Sequence, residues 1–242
     1  MSAPLFLVGE IPAAGSFLLD GSEGHHAADV QRLRPGERLT LADGRGGTAA
    51  AEVTAVGRGH VDLAVGAPSF VAAPDPRLVV VQGIPKGDRG ELAVQAMTEA
   101  GVDEILPWAA ARSVTQWRGD RGLKSRARWV ATVREAAKQS RRAWLPAVGG
   151  DPDLSTKQVA ARLRDAATAF VLHEAADERL SAVPLPATGE IVLVIGPEGG
   201  ISDAEIEAFA AATPVRLGPE VLRTSTAGVA ALAVLATRLG RW

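Results

Sequence analysis

The chain has 242 residues, of which 47% are apolar and 22% charged, with a net charge of −2 at pH 7, a composition typical of a globular protein of one or two domains. The absence of cysteine excludes disulfides, thiolate metal ligands and thiol catalysis, and the four histidines are too scattered to predict a metal site. We therefore expect no bound metal. Because no long apolar run and no basic leader segment occur, we expect a cytoplasmic protein without a membrane span or signal peptide.

Residues 5 to 66 read as short alternating strands separated by turn signals, at the close spacing of a small barrel or sandwich. One helical piece, HHAADVQRLR at 25–34, interrupts them. Prolines at 68, 74 and 76 then form a stiff linker, which indicates a domain boundary near residue 72. The sequence therefore predicts a mainly β domain over residues 1–72 and a second domain over 73–242.

Beyond the linker, strands alternate with helices. The predicted strands are RLVVVQG, DEILPW, TAFVLHE, EIVLVIG and PVRLG. Amphipathic helices are predicted over 87–101 and about 123–142, and another begins at Ser155 or Thr156. Strands that alternate with helices pair in parallel, so we expect an α/β sheet covered on both faces.

The last predicted helix, TAGVAALAVLATRL, is apolar nearly all round. A helix without a polar face has to be buried on all sides. Two arrangements satisfy this requirement: a central core helix, or a helix that packs against a second subunit as well as its own sheet. We favour the second arrangement.

The segment from Arg112 to Arg142 contains ten basic and two acidic residues, so it carries +8 in a chain whose net charge is −2. Such a concentration is typical of a surface that binds a phosphate-rich partner, although a solvated helix face would look the same. Few aromatic residues are available, so extensive stacking on a single-stranded nucleic acid is not indicated. Within this segment, the candidate phosphate contacts are Arg134, Lys138, Arg141 and Arg142. Candidates elsewhere in the chain are Arg32, Arg34, Lys86 and Arg89.

Three strand ends carry unusual loops, with the sequences LHE at 172–174, IGPEGGISDAE at 195–205 and LGPEVLRTSTAG at 217–228. Ligands of open α/β sheets bind outside the carboxyl ends of the strands, so we predict one shared pocket. Its second loop offers bare glycine backbone, and Gly199 or Gly200 is expected to have a positive φ. Ser202 and Glu205 have the spacing of a capping box. Neither the P-loop nor the dinucleotide fingerprint occurs, so no phosphate cradle is predicted.

Taken together, these motifs resemble the ribosomal RNA small subunit methyltransferase E family, the uridine N3-methyltransferases within the SPOUT superfamily of knotted methyltransferases. The resemblance extends from end to end of the chain, and its ordered set of motifs is more specific than the GPEGG stretch alone. The matching segments are HHAADVQRLRPGERL, IPKGDRGELAVQAMTEAGVDEILPW, REAAKQSRR, LVIGPEGGISDAEIEAF and RLGPEVLRTSTAG.

The resemblance implies a mainly β, PUA-like RNA-binding domain followed by a SPOUT-type α/β domain with a trefoil knot. It also implies a homodimer that binds S-adenosylmethionine and methylates N3 of U1498 in 16S rRNA, within the small ribosomal subunit. The implied cofactor contacts are Leu172, His173, Ile195, Gly196, Pro197, Gly199, Gly200, Leu217, Gly218, Leu222, Arg223, Thr224, Thr226 and Ala227.

Uracil N3 carries a weakly acidic proton, so a nearby guanidinium would stabilise the reacting anion. Our candidate is Arg223, which is always protonated and so cannot itself be the base. The base is Glu198, a water or a ribosomal group. Alternatively, Arg223 forms a structural ion pair with Glu220 or Glu198.

Family members often carry a glutamate where this chain has Ser225. This departure favours the alternative hypothesis that the protein is a catalytically inactive RNA-binding or ribosome-assembly factor. A third alternative is a SPOUT methyltransferase that acts on another RNA atom, such as a ribose 2′-hydroxyl or guanine N1.

Overall fold

The computed structural model describes residues 3–242, and the chain divides into two compact units. The first unit comprises the chain up to Ala73 together with Ala137–Leu145. The second comprises Pro74–Ala136 and Pro146–Trp242. The sequence-based division placed all of 73–242 in the second domain, whereas the short segment 137–145 packs with the first unit.

A six-stranded sheet forms the first unit. Its strands are β1 (Leu5–Leu7), β2 (Gly15–Leu19), β3 (Arg38–Ala42), β4 (Gly47–Gly57), β5 (His60–Val65) and β6 (Ser69–Phe70). The strand order is β1-β3-β4-β5-β2, with β6 paired to β4, and every pair is antiparallel except β1 with β3. Along β4, Ala49, Ala51 and Val53 alternate with more exposed residues, so one face of the strand packs on the core.

The helical piece of the first unit lies earlier than predicted. Helix α1 spans Gly21–His25 and continues into a π-helical turn over His26–Val30. It ends before the predicted residue 34 because Arg32 adopts a left-handed conformation with φ of 55°.

Residues 137–145 are joined to the first unit by backbone and side-chain hydrogen bonds. Gly46 N donates to Ala143 O at 3.0 Å, and Leu145 N donates to Gly44 O at 3.0 Å. The Trp144 indole N–H donates to Val71 O at 2.8 Å. This segment therefore belongs to the first unit, although its first three residues form the end of helix α3 (Gly119–Gln139).

The second unit contains strands and helices in alternation. Its strands are β7 (Arg77–Gly83), β8 (Glu104–Trp108), β9 (Ala147–Val148), β10 (Thr168–Leu172), β11 (Glu190–Ile195) and β12 (Thr213–Val215). The helices are α2 (Arg89–Glu99), α3 (Gly119–Gln139), α4 (Thr156–Asp165), α5 (Asp203–Ala208) and α6 (Thr224–Arg238). All strands are parallel, in the order β12-β10-β11-β7-β8-β9, so the predicted parallel α/β sheet is confirmed.

Both faces of this sheet are buried, which explains why β7 reads as an unbroken apolar run. Leu78 and Val80 pack into one core with side chains of α2, α3 and α6. Val79 and Val81 pack into the other, with side chains of α4 and residues around α5. Helix coverage of both faces was predicted and is confirmed.

Helix boundaries differ from the predicted ones by a few residues. The basic helix α3 begins at Gly119 and ends at Gln139, whereas 123–142 was predicted. Ser155 is the N-cap of α4, where its hydroxyl accepts from Gln158 N. Gly101 has a φ of 92° just beyond the end of α2, as its position predicted. No helix within residues 3–242 is long and apolar enough to cross a membrane.

Candidate functional site

A cavity of about 550 Å³ lies at the carboxyl ends of the parallel strands of the second unit. The loops after β10, β11 and β12 meet there, because β10 lies between β11 and β12 in the sheet. Residues from all three loops line the cavity, so the predicted shared pocket is confirmed. Its volume is within the range of small-molecule sites, roughly 300–1,000 Å³.

Nearly all of the residues predicted to contact a cofactor or to act in catalysis line this cavity. Thr226 is the exception within the described chain: it is exposed, and its hydroxyl donates to Arg223 O at 3.1 Å. The contact of Thr226 with the cofactor therefore stays a prediction. The predicted residues that line the cavity are Leu172, His173, Ile195, Gly196, Pro197, Glu198, Gly199, Gly200, Leu217, Gly218, Leu222, Arg223, Thr224 and Ala227.

Residues 196–200, here called the glycine loop, are closely approached by other parts of the backbone. A Cβ on Gly83, at the end of β7, would lie 2.7 Å from the backbone nitrogen of Pro197. A Cβ on Gly199 would lie 2.9 Å from the carbonyl oxygen of Arg112. Gly200 has a φ of 71°, as predicted for one of the last two glycines. Glycine is thus required at 83 and 199 by backbone packing.

Immediately after the glycine loop, α5 begins with the predicted capping box, which is confirmed. Glu205 is 3% exposed, and its carboxylate accepts from Ser202 N at 2.9 Å and from Ser202 Oγ at 2.7 Å. It also accepts from Ala111 N at 2.7 Å. The buried carboxylate therefore joins the start of α5 to the loop that follows β8.

Charged side chains of both signs line the cavity. The carboxylate of Glu198 forms an ion pair with Arg89 at 3.2 Å and accepts from Lys86 N at 3.2 Å. The alternative ion pairs of Arg223 with Glu198 or Glu220 are not present: within residues 3–242, the exposed Arg223 guanidinium makes no hydrogen bond or ion pair. The charged lining residues are Arg89, Arg112, Arg216, Arg223, Glu174, Glu198, Asp203 and Glu220.

Sequence reasoning missed Arg112 as a residue of this site. Its Nη1 lies 3.4 Å from the carbonyl oxygens of Gly199 and Ile201, and its backbone packs against the glycine loop. The only signal in the sequence is its position in the loop after β8, at the same edge of the sheet. The strand order, in which only β7 separates β8 from β11, is what brings this loop close to the glycine loop.

Lys138 does not have the exposed position that was predicted for a phosphate contact. Its side chain is 4% exposed, and Nζ lies 3.0 Å from Glu23 Oε2 within the first unit. The ammonium also lies 5.9 Å from the centre of the Phe6 ring. We therefore correct the prediction for Lys138: an ammonium buried against a carboxylate has no open face for a phosphate.

The other predicted phosphate contacts remain at least partly exposed. Arg32, Arg34 and Arg141 are exposed and Arg142 is half-buried in the first unit. Lys86, Arg89 and Arg134 are exposed in the second. Their contact with RNA stays a prediction. Residues 3–242 contain no group of three or more His, Asp or Glu side chains that could hold a metal ion.

Family models match both parts of the chain. Residues 73–236 match the family model of the RNA methyltransferase domain, and residues 19–65 match that of the RNA methyltransferase PUA domain. The ribosomal RNA small subunit methyltransferase E of Mycobacterium bovis is 46% identical, over 100% of this chain and 94% of that protein. The Bacillus subtilis protein of the same name is 32% identical, over 93% and 91%.

Among solved structures, a ribosomal RNA small subunit methyltransferase E from Neisseria gonorrhoeae, bound to S-adenosyl methionine, is 28% identical to this chain. It matches with a TM-score of 0.85 over 98% of both chains. The expected fold, a PUA-like domain with a SPOUT-type α/β methyltransferase domain, is confirmed by these matches. The trefoil knot and the homodimer stay predictions. Over its full length, the chain belongs to the ribosomal RNA small subunit methyltransferase E family.

Proposed function

We propose that this protein transfers a methyl group from S-adenosylmethionine to N3 of U1498 in the 16S rRNA of the small ribosomal subunit. The single observation that carries the proposal is the convergence of the family's three motif loops on one cavity. Family membership supports the RNA methyltransferase activity, and the cavity supplies a place for it.

The residues of the cavity suit S-adenosylmethionine, which has an adenosine group, an ammonium, a carboxylate and a sulfonium. Gly196, Gly199 and Gly200 line the cavity without side chains, so their backbone groups are available for hydrogen bonds to a ligand. Oppositely charged lining residues match a ligand that carries both charges. Apolar walls for the adenosine are provided by Leu172, Ile195, Leu217 and Leu222.

When bound, the cofactor supplies a methyl group that is already activated on a sulfonium. The protein has to orient the uracil and to stabilise the charge that forms when N3 loses its proton. We assign the second task to Arg223, because its exposed guanidinium lines the cavity and makes no bond within residues 3–242. Donors placed in advance at a developing charge contribute on the order of 10²–10³ in rate.

Glu198 is our candidate for the group that accepts the N3 proton, directly or through a water. Its carboxylate lines the cavity and is held in place by Arg89 and the Lys86 N–H. A base has to come within hydrogen-bond reach of the proton it removes, and Glu198 lies in the same cavity as Arg223.

The substrate base has to be unpaired, because N3 lies on the Watson–Crick edge. We propose that exposed basic side chains of both units bind the surrounding phosphates, namely Arg32, Arg34, Lys86, Arg89, Arg134, Arg141 and Arg142. Since its substrate is ribosomal RNA, the protein acts in the cytoplasm, where ribosomes assemble.

A homodimer and a trefoil knot are also part of the proposal. On α6, Ala231 and Leu232 are buried in the core of the second unit, whereas Val229 and Val234 are only partly buried. A partly exposed apolar side of this kind supports packing of α6 against a second subunit.

Ser225 does not weaken the catalytic proposal. It is 5% exposed in the first turn of α6 and is not among the residues that line the cavity. A serine in place of the glutamate of other family members therefore leaves the described lining of the cavity intact, which argues against an inactive binding factor.

The test is methyl transfer from labelled S-adenosylmethionine to small ribosomal subunits that lack the modification, followed by mass spectrometry of the nucleosides. We expect N3-methyluridine at U1498. A 2′-O-methylated nucleoside or N1-methylguanosine would assign another SPOUT chemistry, and no methylation of subunits or naked RNA would identify a binding factor.

A further inference from the structure

Gln82, the last residue but one of β7, is fully buried beside the cavity wall. Its amide nitrogen donates to Gly83 O at 3.0 Å and to Thr224 Oγ1 at 2.8 Å. The Thr224 hydroxyl in turn donates to Gly196 O at 2.8 Å. A chain of hydrogen bonds therefore runs from β7 through the first residue of α6 to the first residue of the glycine loop.

The direction of this chain follows from the donors and acceptors available. A hydroxyl has one proton, and that of Thr224 is used on the carbonyl oxygen of Gly196. Thr224 Oγ1 can then only accept from Gln82, and Gly83 O is likewise an acceptor. Both N–H groups of the Gln82 amide are thus engaged, and the orientation of the amide is fixed.

The remaining atom of the amide, Oε1 of Gln82, accepts no hydrogen bond from any residue within 3–242. Burying an acceptor without a partner costs free energy. An apolar side chain of similar length would avoid that cost, in exchange for the two hydrogen bonds that the amide donates. The presence of glutamine therefore indicates a role in the placement of its partners, beyond stability alone.

The partners of Gln82 lie at two sides of the cavity. Gly196 opens the glycine loop, and Thr224 directly follows Arg223, the residue that we propose to stabilise the uracil anion. Because Thr224 bonds to both Gln82 and Gly196, the amide fixes where α6 begins relative to the loop.

We propose that Gln82 is a positioning residue: through Thr224 it sets the placement of Arg223 relative to the glycine loop that holds the methyl donor. This inference rests on the proposed function. Loss of the Gln82 amide should loosen the loop and weaken cofactor binding without unfolding the protein.

The test is Gln82→Met, which keeps the length of the side chain and removes its polar atoms. We expect the Kd for S-adenosylmethionine, measured by calorimetry, to rise about tenfold, and Tm to stay level or rise. Amide hydrogen exchange of the unliganded protein should become faster in 194–206 and unchanged in α4. If the residue were merely structural, affinity and Tm would fall together.

Matched controls separate this effect from the substitution itself. Gln95→Met makes the same change on the exposed side of α2, away from the cavity, and should leave the Kd and the exchange of 194–206 unchanged. Thr224→Val removes the hydroxyl that links Gln82 to Gly196. Because both changes break one chain of bonds, the double variant Gln82→Met with Thr224→Val should bind little worse than Thr224→Val alone.

The outcomes distinguish this inference from the proposed function. If wild-type protein binds S-adenosylmethionine and Gln82→Met binds it equally well with unchanged exchange, the role of Gln82 is refuted and the proposed function stands. If wild-type protein binds no S-adenosylmethionine, the proposed function fails. In that case unchanged exchange of 194–206 in Gln82→Met also refutes the positioning role, and faster exchange supports it.

Discussion

The glycine loop and the basic segment at 134–142 are organised by different forces. In the loop, Gly83 meets Pro197 and Gly199 meets Arg112 at distances that admit no side chain. In the basic segment, Arg134 is exposed, whereas Lys138 is buried in an ion pair. Steric demand therefore dictates glycine at 83 and 199. Positive charge alone does not dictate whether a side chain faces solvent.

The largest effect on activity should come from Arg223, a charged residue that lines the cavity. Arg223→Ala is expected to lower the rate of methyl transfer on the order of 10²–10³-fold, because a donor to the developing uracil anion is lost. Tm and the Kd for RNA should change little, since the side chain is exposed and makes no bond within residues 3–242. Single-turnover kinetics with saturating substrate measures the rate of the methyl-transfer step. A rate within twofold of wild type would remove Arg223 from the mechanism.

Lys138→Met should be the most destabilising change in the basic segment. It leaves the Glu23 carboxylate buried without the ammonium now 3.0 Å away, and breaking such a pair costs about 3–5 kcal/mol. Urea unfolding measures the loss. Replacing both partners, as in Glu23→Leu with Lys138→Met, should restore most of the stability. If Lys138→Met alone were as stable as the wild type, the buried ion pair would be contradicted.

Gly83→Ala tests the steric demand of the loop. The new Cβ would lie 2.7 Å from Pro197 N, so either β7 or the glycine loop has to shift. We expect a loss of about 1–3 kcal/mol in the free energy of unfolding, typical of overpacking, together with weaker binding of S-adenosylmethionine. Gly9→Ala is the control, because its Cβ would meet no atom within 4 Å. Equal stability of the two variants would refute the close crossing.

Arg134→Ala should have the smallest effect. One lost phosphate contact weakens RNA binding a few-fold and lowers the slope of log K against log salt concentration by about 1. Filter binding of 16S rRNA at several salt concentrations measures both quantities. An unchanged slope would assign Arg134 to a solvated helix face, the other explanation of the basic pattern.

Much of the fold was predictable because local patterns agree with it. The apolar run of β7 predicted a strand buried on both faces, and Leu78 to Val81 alternate between the two cores. Ser202 and Glu205 predicted the start of α5 from spacing alone. These features depend on neighbours in sequence, so they can be read without knowing the tertiary structure.

What could not be predicted depends on contacts between distant parts of the chain. Arg112 reaches the glycine loop from the loop after β8, and Glu23 reaches Lys138 from 115 positions away. The membership of 137–145 in the first unit depends on backbone bonds such as that between Gly46 and Ala143. No periodicity or motif signals these pairings, because each partner looks ordinary in its own segment.

The central claim, that the cavity formed by the three loops holds the methyl donor, is tested most directly by hydrogen exchange with and without S-adenosylmethionine. We predict slower exchange of backbone amides in 172–174, 194–206 and 216–228, and no change in β3 to β5 of the first unit. Protection confined to other segments, or none at saturating cofactor, would contradict the account.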